Sequence, residues 1–288
     1  MKRPIQALAA VFLVGGGLAI GAAAPAHAAT STFYATATGG TTGSSAACSY
    51  DVPCTLQAAL DNAAPGTTIE LLTSGGSSLA THYVGDLTIG TAGSVSTPVA
   101  IQPTPGVVNP ILDGDQKSGP VLTINGNTSV HLTGVTIEGG NDPLQTLVGT
   151  QIVGTPGGGI ANEGSGTVTL LDSTVTSNTS QGAGRGVFND VDATLKVVDS
   201  ALLANNALEG GGGAVYNDGM LIVTGSTLAD NSSGEGGAIY NNSGTVTVTS
   251  TTITGNSTVN HGEAIASNGG RVILGADLLA TPKGLVTQ

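Results

Sequence analysis

A six-residue motif returns through the second half of the chain and limits its fold more than any other feature. Gly157-Gly158-Gly159-Ile160-Ala161-Asn162 is followed by Gly184-Arg185-Gly186-Val187-Phe188-Asn189, Gly212-Gly213-Ala214-Val215-Tyr216-Asn217 and Gly236-Gly237-Ala238-Ile239-Tyr240-Asn241. A decayed copy, Gly262-Glu263-Ala264-Ile265-Ala266-Ser267, closes the series. The β-branched anchors Ile160, Val187, Val215, Ile239 and Ile265 stand 27, 28, 24 and 26 residues apart. A period of this length marks a solenoid whose turns bury a core only by stacking.

Each unit contains two further segments. An alternating strand follows the hexamer, as in Val168-Thr169-Leu170, Leu195-Lys196-Val197, Leu221-Ile222-Val223, Val246-Thr247-Val248 and Val272-Ile273-Leu274. A third segment runs to asparagine: Ser173 to Asn178, Ser200 to Asn205, Ser226 to Asn231 and Thr251 to Asn256. The last unit, Ala276 to Thr281, breaks this rule. Strands this short are not stable alone. Wound into a coil, each pairs with its equivalent one turn away, about 4.8 Å along the axis, and the inward Ile and Val stack. The expected fold is all-β: a single right-handed parallel β-helix, its hand following the preference of parallel crossovers. Asn178, Asn205, Asn231 and Asn256 are expected to form a structural ladder, taking left-handed backbone at the turns. Glycines open each hexamer where a Cβ would obstruct a tight turn.

Val121 to Ile124, Val130 to Leu132 and Val135 to Ile137 follow the same three-strand grammar without the hexamer, and Thr67 to Leu72, Asp86 to Ile89 and Val99 to Gln102 look like earlier strands. Thr55 to Asn62 reads as a short helix N-capped by Thr55, with Leu56, Ala59, Leu60 and Ala63 on one face. An open coil end exposes core and strand edges, so this helix is expected to cap the first rung. The expected organisation is a signal peptide at 1–28, a cap segment at 29–66, the β-helix at 67–280 and a tail at 281–288.

Lys2 and Arg3, the apolar run Ala7 to Ile20 and Ala26-His27-Ala28 carry the signal-peptide reading; the competing reading is an N-terminal membrane anchor. Cleavage after Ala28 leaves five Lys/Arg against 19 Asp/Glu and moves the formal charge from −12 to −14. Such a chain is not expected to bind nucleic acid or anionic lipid, which recruit dense Lys/Arg, nor to span a membrane once cleaved. Export places Cys48 and Cys54 in an oxidising compartment, where a local disulfide is expected; free thiols and paired metal ligands are the alternatives. The expected location is secreted or cell surface.

The hexamer, the Thr/Val strand after it and the Ser-Thr-Ile-x-x-Asn segment together resemble the repeats of polymorphic-outer-membrane-protein-type and pectate-lyase-like β-helix proteins. The resemblance is specific over about Ile111 to Leu279 and weaker from Tyr34 to Pro110. Pro53-Cys54-Thr55-Leu56-Gln57-Ala58-Ala59-Leu60 looks like the N-terminal cap of these exported proteins. The resemblance implies a secreted or surface β-helix.

Strong catalytic signatures are missing. The sequence has no Gly-x-Ser-x-Gly elbow, no Walker A motif and no His-Glu-x-x-His. His82, His131 and His261 are isolated in sequence, so a zinc site would need distant segments to converge. Calcium-loop and nonapeptide motifs are lacking too; no metal or cofactor is expected. Similarity to lyases on this scaffold implies a basic residue beside acids that hold a cation. The basic residues after the leader are Lys117, Arg185, Lys196, Arg271 and Lys283. Arg185 stands where other hexamers carry Gly158, Gly213, Gly237 and Glu263, and stacking brings it near Asp190, Asp192, Asp218 and Glu209. Arg185, Asp190 and Asp218 are therefore the catalytic candidates; the competing expectation is a solvated turn arginine with ion pairs of little worth. A glycosidase would need paired carboxylates such as Asp190 and Asp218, but the Asp-Asp and Gly-His-Gly motifs of β-helix polygalacturonases are missing.

Phe188, Tyr216 and Tyr240 neighbour inward Val or Ile and should point outward as an aligned row. They are the candidate binding face for a glycan or a surface protein, or they merely cover neighbouring rungs. The leading expectation is a non-enzymatic exported scaffold for display, adhesion or carbohydrate binding, with 139–156 as its functional loop. The alternative is a polysaccharide lyase or glycoside hydrolase using the cleft between that loop and the Arg185 turn.

Overall fold

The computed structural model describes residues 31–40, 48–73, 80–90, 98–142, 145–148, 151–154, 156–207, 210–275, 279–280 and 285–287. The expected signal peptide 1–28, Glu209 and Lys283 lie outside them. The chain winds into a parallel β-solenoid with three main faces. A nine-stranded long face runs from Thr32–Gly40 to Arg271–Leu274. The eight-stranded hexamer face runs from Leu87–Ile89 to Leu285–Thr287, and the eight-stranded third face from His82–Val84 to Leu279–Ala280. Sheet structure thus begins earlier and ends later than the 67–280 span: Thr32 pairs with Thr68, and Leu285 with Ile265. A fourth, narrow strip of five strands, from Asn141–Asp142 to Ser257–His261, fills the corner before each hexamer. The sequence reading missed this strip because its strands are as short as two residues and have no apolar alternation.

Register is strict. Ile160 pairs with Val187, Val187 with Val215, Val215 with Ile239 and Ile239 with Ile265. All five side chains are buried, as are Val168, Leu195, Leu221 and Val246 on the long face. Removing a Val, Leu or Ile side chain from water favours the coil by about 1.5–3 kcal/mol each.

Two corners of each turn share one device. At the first, Asp172, Asp199, Gly225 and Ser250 have left-handed backbone and precede Ser173, Ser200, Ser226 and Thr251. At the second, Ser177, Ala204, Asp230 and Gly255 have left-handed backbone and precede Asn178, Asn205, Asn231 and Asn256. The left-handed position is therefore one residue before the asparagine, which corrects the sequence reading. This bend turns the next N–H away from the regular ladder, and a buried donor must find another acceptor. The Asn178 backbone N–H and Nδ2 both donate to Asn205 Oδ1, at 3.2 and 3.0 Å. Asn205 donates in the same way to Asn231, and Asn231 to Asn256. At the other corner the Ser173 N–H donates to Ser200 Oγ and the Ser200 N–H to Ser226 Oγ, at 3.1 and 3.2 Å.

A third ladder, not foreseen from the sequence, stands at the end of the hexamers. Asn162 Nδ2 donates to Asn189 Oδ1 at 2.9 Å, Asn189 to Asn217 and Asn217 to Asn241, both at 2.8 Å. The first glycine of each hexamer has positive φ, and a Cβ on Gly212 would lie 2.2 Å from the Val215 carbonyl oxygen. From the long-face anchors Val168, Leu195, Leu221 and Val246 to the corner asparagine the chain always takes 10 residues. The 24–28 residue spread arises elsewhere: 6, 6, 4 and 5 residues from hexamer asparagine to long face, and 6, 7, 5 and 6 from corner asparagine to the next hexamer.

The helix Leu56–Asp61 starts at Thr55, whose side chain accepts from the Ala58 N–H. Its buried Leu56, Ala59 and Leu60 cover the first rung. Gln57 also completes the edge strand of the hexamer face. The Thr88 N–H donates to Gln57 Oε1 at 2.9 Å and Gln57 Nε2 donates to the Thr88 carbonyl at 3.0 Å, as a neighbouring strand would. Cys48 and Cys54 form a disulfide that pins the entry to this helix. Among the described residues, no helix is long and apolar enough to cross a membrane.

Asn231→Ala leaves the Asn205 N–H and Nδ2 without the Asn231 Oδ1 acceptor, and Asn256 Oδ1 and the Leu202 carbonyl without the Asn231 Nδ2 donor. Each orphaned group costs about 1–3 kcal/mol. Thermal melting should show a clear loss for Asn231→Ala and little change for the exposed Asn260→Ala. Equal shifts would remove the corner ladder from the account of stability.

Candidate functional site

Strict register on the hexamer face aligns the outward residues as well as the core. Phe188 pairs with Tyr216 and Tyr216 with Tyr240, between Ala161 and Ala266. The Phe188 and Tyr216 rings stack at 5.6 Å with 20° between planes; Tyr216 and Tyr240 lie at 5.4 Å and 35°. Because the rings cover one another's faces, the row presents edges and two hydroxyls to solvent. A sugar ring meeting it is held by hydrogen bonds more than by stacking on a free aromatic face.

The residue after each hexamer forms a second column: Glu163, Asp190, Asp218, Asn242 and Asn268. Backbone bonds fix its alignment: the Asp190 N–H donates to Asn162 O, Asp218 to Asn189 O, Asn242 to Asn217 O and Asn268 to Asn241 O. Asn242 Nδ2 and Ser243 Oγ donate to Asp218 Oδ1 at 2.8 and 3.0 Å. Asn268 Nδ2 donates to Asn242 Oδ1 at 3.3 Å. The buried third ladder lies directly beneath, so both columns stand on side chains that cannot shift independently.

The electrostatics of the two columns are coupled. Burial, then the neighbouring Asp190 charge, raises the Glu163 carboxyl above its ordinary value. Burial first, then Asp218 and Tyr240, push the Tyr216 hydroxyl up to about 12. Burial and the adjacent Glu235 raise Tyr240, whose hydroxyl also bonds Asn268. Both hydroxyls stay protonated donors at neutral pH, beside acids that accept. This is a surface of alternating donors and acceptors suited to a polyhydroxylated ligand.

Asp190 and Asp218 therefore meet the aromatic row. Arg185 does not. It is the largest fully buried side chain, and its Nη1 donates to the Gly182 carbonyl at 2.7 Å beneath the turn. A Cβ on Gly210, in the next rung, would lie 3.6 Å from Arg185 Nη1. This corrects the reading of Arg185 as a solvated turn residue and withdraws it from any substrate on the hexamer face. Glu163 was not singled out from the sequence, although its place directly after Asn162 marks it. Of the expected functional loop 139–156, the described part is 139–142, with Asn141–Asp142 in the corner strip, the antiparallel pair Gln145–Val148 with Gln151–Gly154, and Pro156. A separate concavity of about 670 Å³ lies on the long face among Tyr34, Tyr50, Glu70 and Pro105.

The fold defines this chain as an all-β parallel β-helix. Among solved structures, the crystal structure of alginate lyase from Paenibacillus sp. str. FPU-7 is similar at 14% identity, covering 86% of this chain and 99% of that one with a TM-score of 0.40. A likeness at that level assigns no substrate and no residue role. No protein-family model and no curated protein matches the chain.

Raised titration of Glu163 has a definite sign. Folding favours its protonated form, so the stabilisation is complete below the ordinary value of 4.5 and is lost as pH rises through the folded value. Glu163→Gln, which is neutral throughout, should melt above the parent at about pH 8, with the difference closing by about pH 4. Parallel melting curves at both pH values would remove the repulsion between Glu163 and Asp190.

Proposed function

We propose that this protein is an exported, non-catalytic β-helix that binds a neutral polysaccharide along its hexamer face. One observation carries the reading: the edge-on column Phe188, Tyr216 and Tyr240 stands in register with the acid and amide column Glu163 to Asn268. The two columns repeat once per rung, about 4.8 Å along the axis, so a polymer lying parallel to the axis meets the same groups repeatedly. Carboxylates and amides offer hydrogen-bond partners to hydroxyls, while the acids repel uronates and sulfates. The Cys48–Cys54 disulfide fits an oxidising compartment. Display at a cell surface, with the glycan as the adhesive partner, extends the same reading.

A second reading has its own support. Glu163, held towards its protonated form beside Asp190, has the asymmetry of an acid and its carboxylate partner. Adjacent rungs also bring such groups near the roughly 5–5.5 Å of retaining glycosidases. Under this reading the protein hydrolyses the glycan that it binds.

Affinity electrophoresis against neutral and anionic polysaccharides, run with a reducing-end assay, separates the two. The expected result is retardation by a neutral glycan, lost in Tyr216→Ala and weakened in Asp218→Asn, with no release of reducing ends. Retardation by anionic polymers alone, or unchanged in both variants, would end the binding proposal. Release abolished by both Glu163→Gln and Asp190→Asn would replace it with hydrolysis.

A further inference from the structure

The first strands of the third face bring together three groups that are distant in sequence. His82, Asp113 and Glu138 come from successive rungs, with Asp113 paired directly with Glu138 and Val84 with Asp113. One ligand atom from each lies within 4.8 Å of the others. His82 Nδ1 and Asp113 Oδ2 are 2.8 Å apart. We propose that these three side chains bind a divalent transition-metal ion of the zinc class, which fastens the first three rungs together.

Asp113 is set up as a ligand. The Asp115 N–H donates to its Oδ1 at 2.8 Å, leaving Oδ2 turned towards His82. Gly139, with φ of +72°, makes room for this carboxylate; a Cβ there would lie 2.5 Å from Asp113 Oδ1. An outer hydrogen bond of this kind orients a metal ligand. Asp113 and Glu138 also stand side by side in register, an arrangement of like charges that disfavours the sheet. The nearby Lys117 is an exposed partner of Asp115, at 3.8 Å. A divalent ion cancels both carboxylate charges, and a neutral imidazole supplies the third ligand.

The donor set selects the ion. Metal–ligand bonds of about 2.1 Å in a tetrahedron place ligand atoms about 3.4 Å apart, which His82 and Asp113 already approach. Three protein ligands leave further positions for water, and one imidazole nitrogen with two carboxylates suits zinc or manganese. Calcium prefers six to eight oxygens. The position explains the need. In the later rungs Asn178, Asn205, Asn231 and Asn256 tie this corner together. The early rungs turn this corner through Gly85, Gly114 and Gly139-Gly140, and the amide ladder ends where the Gly140 N–H donates to Asn178 Oδ1 at 3.0 Å. Asp113 and Glu138 stand immediately before Gly114 and Gly139, and His82 three residues before Gly85.

Untagged full-length protein, stripped with chelator and reloaded with zinc chloride, provides the test by gel filtration, metal analysis and titration calorimetry. The expected result is one zinc per chain, bound at least about tenfold more weakly by Asp113→Asn and by Glu138→Gln and unaffected by His131→Ala. Zinc should raise the melting temperature of the parent but not of those two carboxamide variants, and calcium should raise neither. Circular dichroism of the metal-free variants, matching the parent, separates loss of the site from loss of the fold. The proposal is overturned if the parent retains no zinc, if the Asp113→Asn/Glu138→Gln double variant retains as much as the parent, or if calcium binds equally well.

Discussion

A backbone N–H that follows a left-handed corner residue has no carbonyl from the next turn in line with it, and the coil depends on how that donor is satisfied. Here a side-chain oxygen one rung ahead accepts it, from asparagine at one corner and from serine or threonine at the other. The bond forms only when successive turns have the same register, so satisfying the donor also sets the register. A one-residue slip would turn every inward Ile and Val to solvent and also leave these donors buried and unmatched. Apolar stacking supplies most of the driving force, but it is tolerant of shape. The corner amides make one register decisively better than its neighbours.

Everything on the outer surface inherits that alignment. The aromatic column, the acid and amide column beside it and the histidine–carboxylate cluster are each assembled from residues 24 to 31 positions apart. None would exist with a shifted turn. The acids and hydroxyls on the hexamer face lie directly above the buried Asn162–Asn189–Asn217–Asn241 row. Surface chemistry and structural support therefore share the hexamer and the one residue after it, which is why a motif so short constrains so much.

The apolar core of the repeats and the cap were legible in the sequence; the corner strip, the hexamer ladder and the early-rung cluster were not. Val187, Val215 and Ile239 declare themselves as core because each recurs in the same context, and Thr55 declares the cap by its place before Leu56. One local error came from reading a corner as one residue. The backbone bends at Ser177 or Ala204, while the side chain that matters belongs to the asparagine after it. Arg185 misled because a charged residue in a glycine slot reads as exposed, whereas its side chain folds under the turn and bonds the Gly182 carbonyl. His82, Asp113 and Glu138 gave no signal at all. They sit in the irregular early rungs, where the spacing from one turn to the next follows no period and their meeting depends on loops of unequal length.

The unequal turn lengths have a consequence of their own. The ten residues from each long-face anchor to the corner asparagine never vary, and all insertions and deletions among the repeats fall on the two borders of the hexamer face. Two sides of the prism thus form a chassis of constant length, and the third is framed by margins that tolerate lengthening. Descendants of such a coil can acquire a deeper rim or a new overhang around that one side while the chassis stays intact. Diversity of recognition and constancy of fold are, in this architecture, assigned to different sides of the same coil.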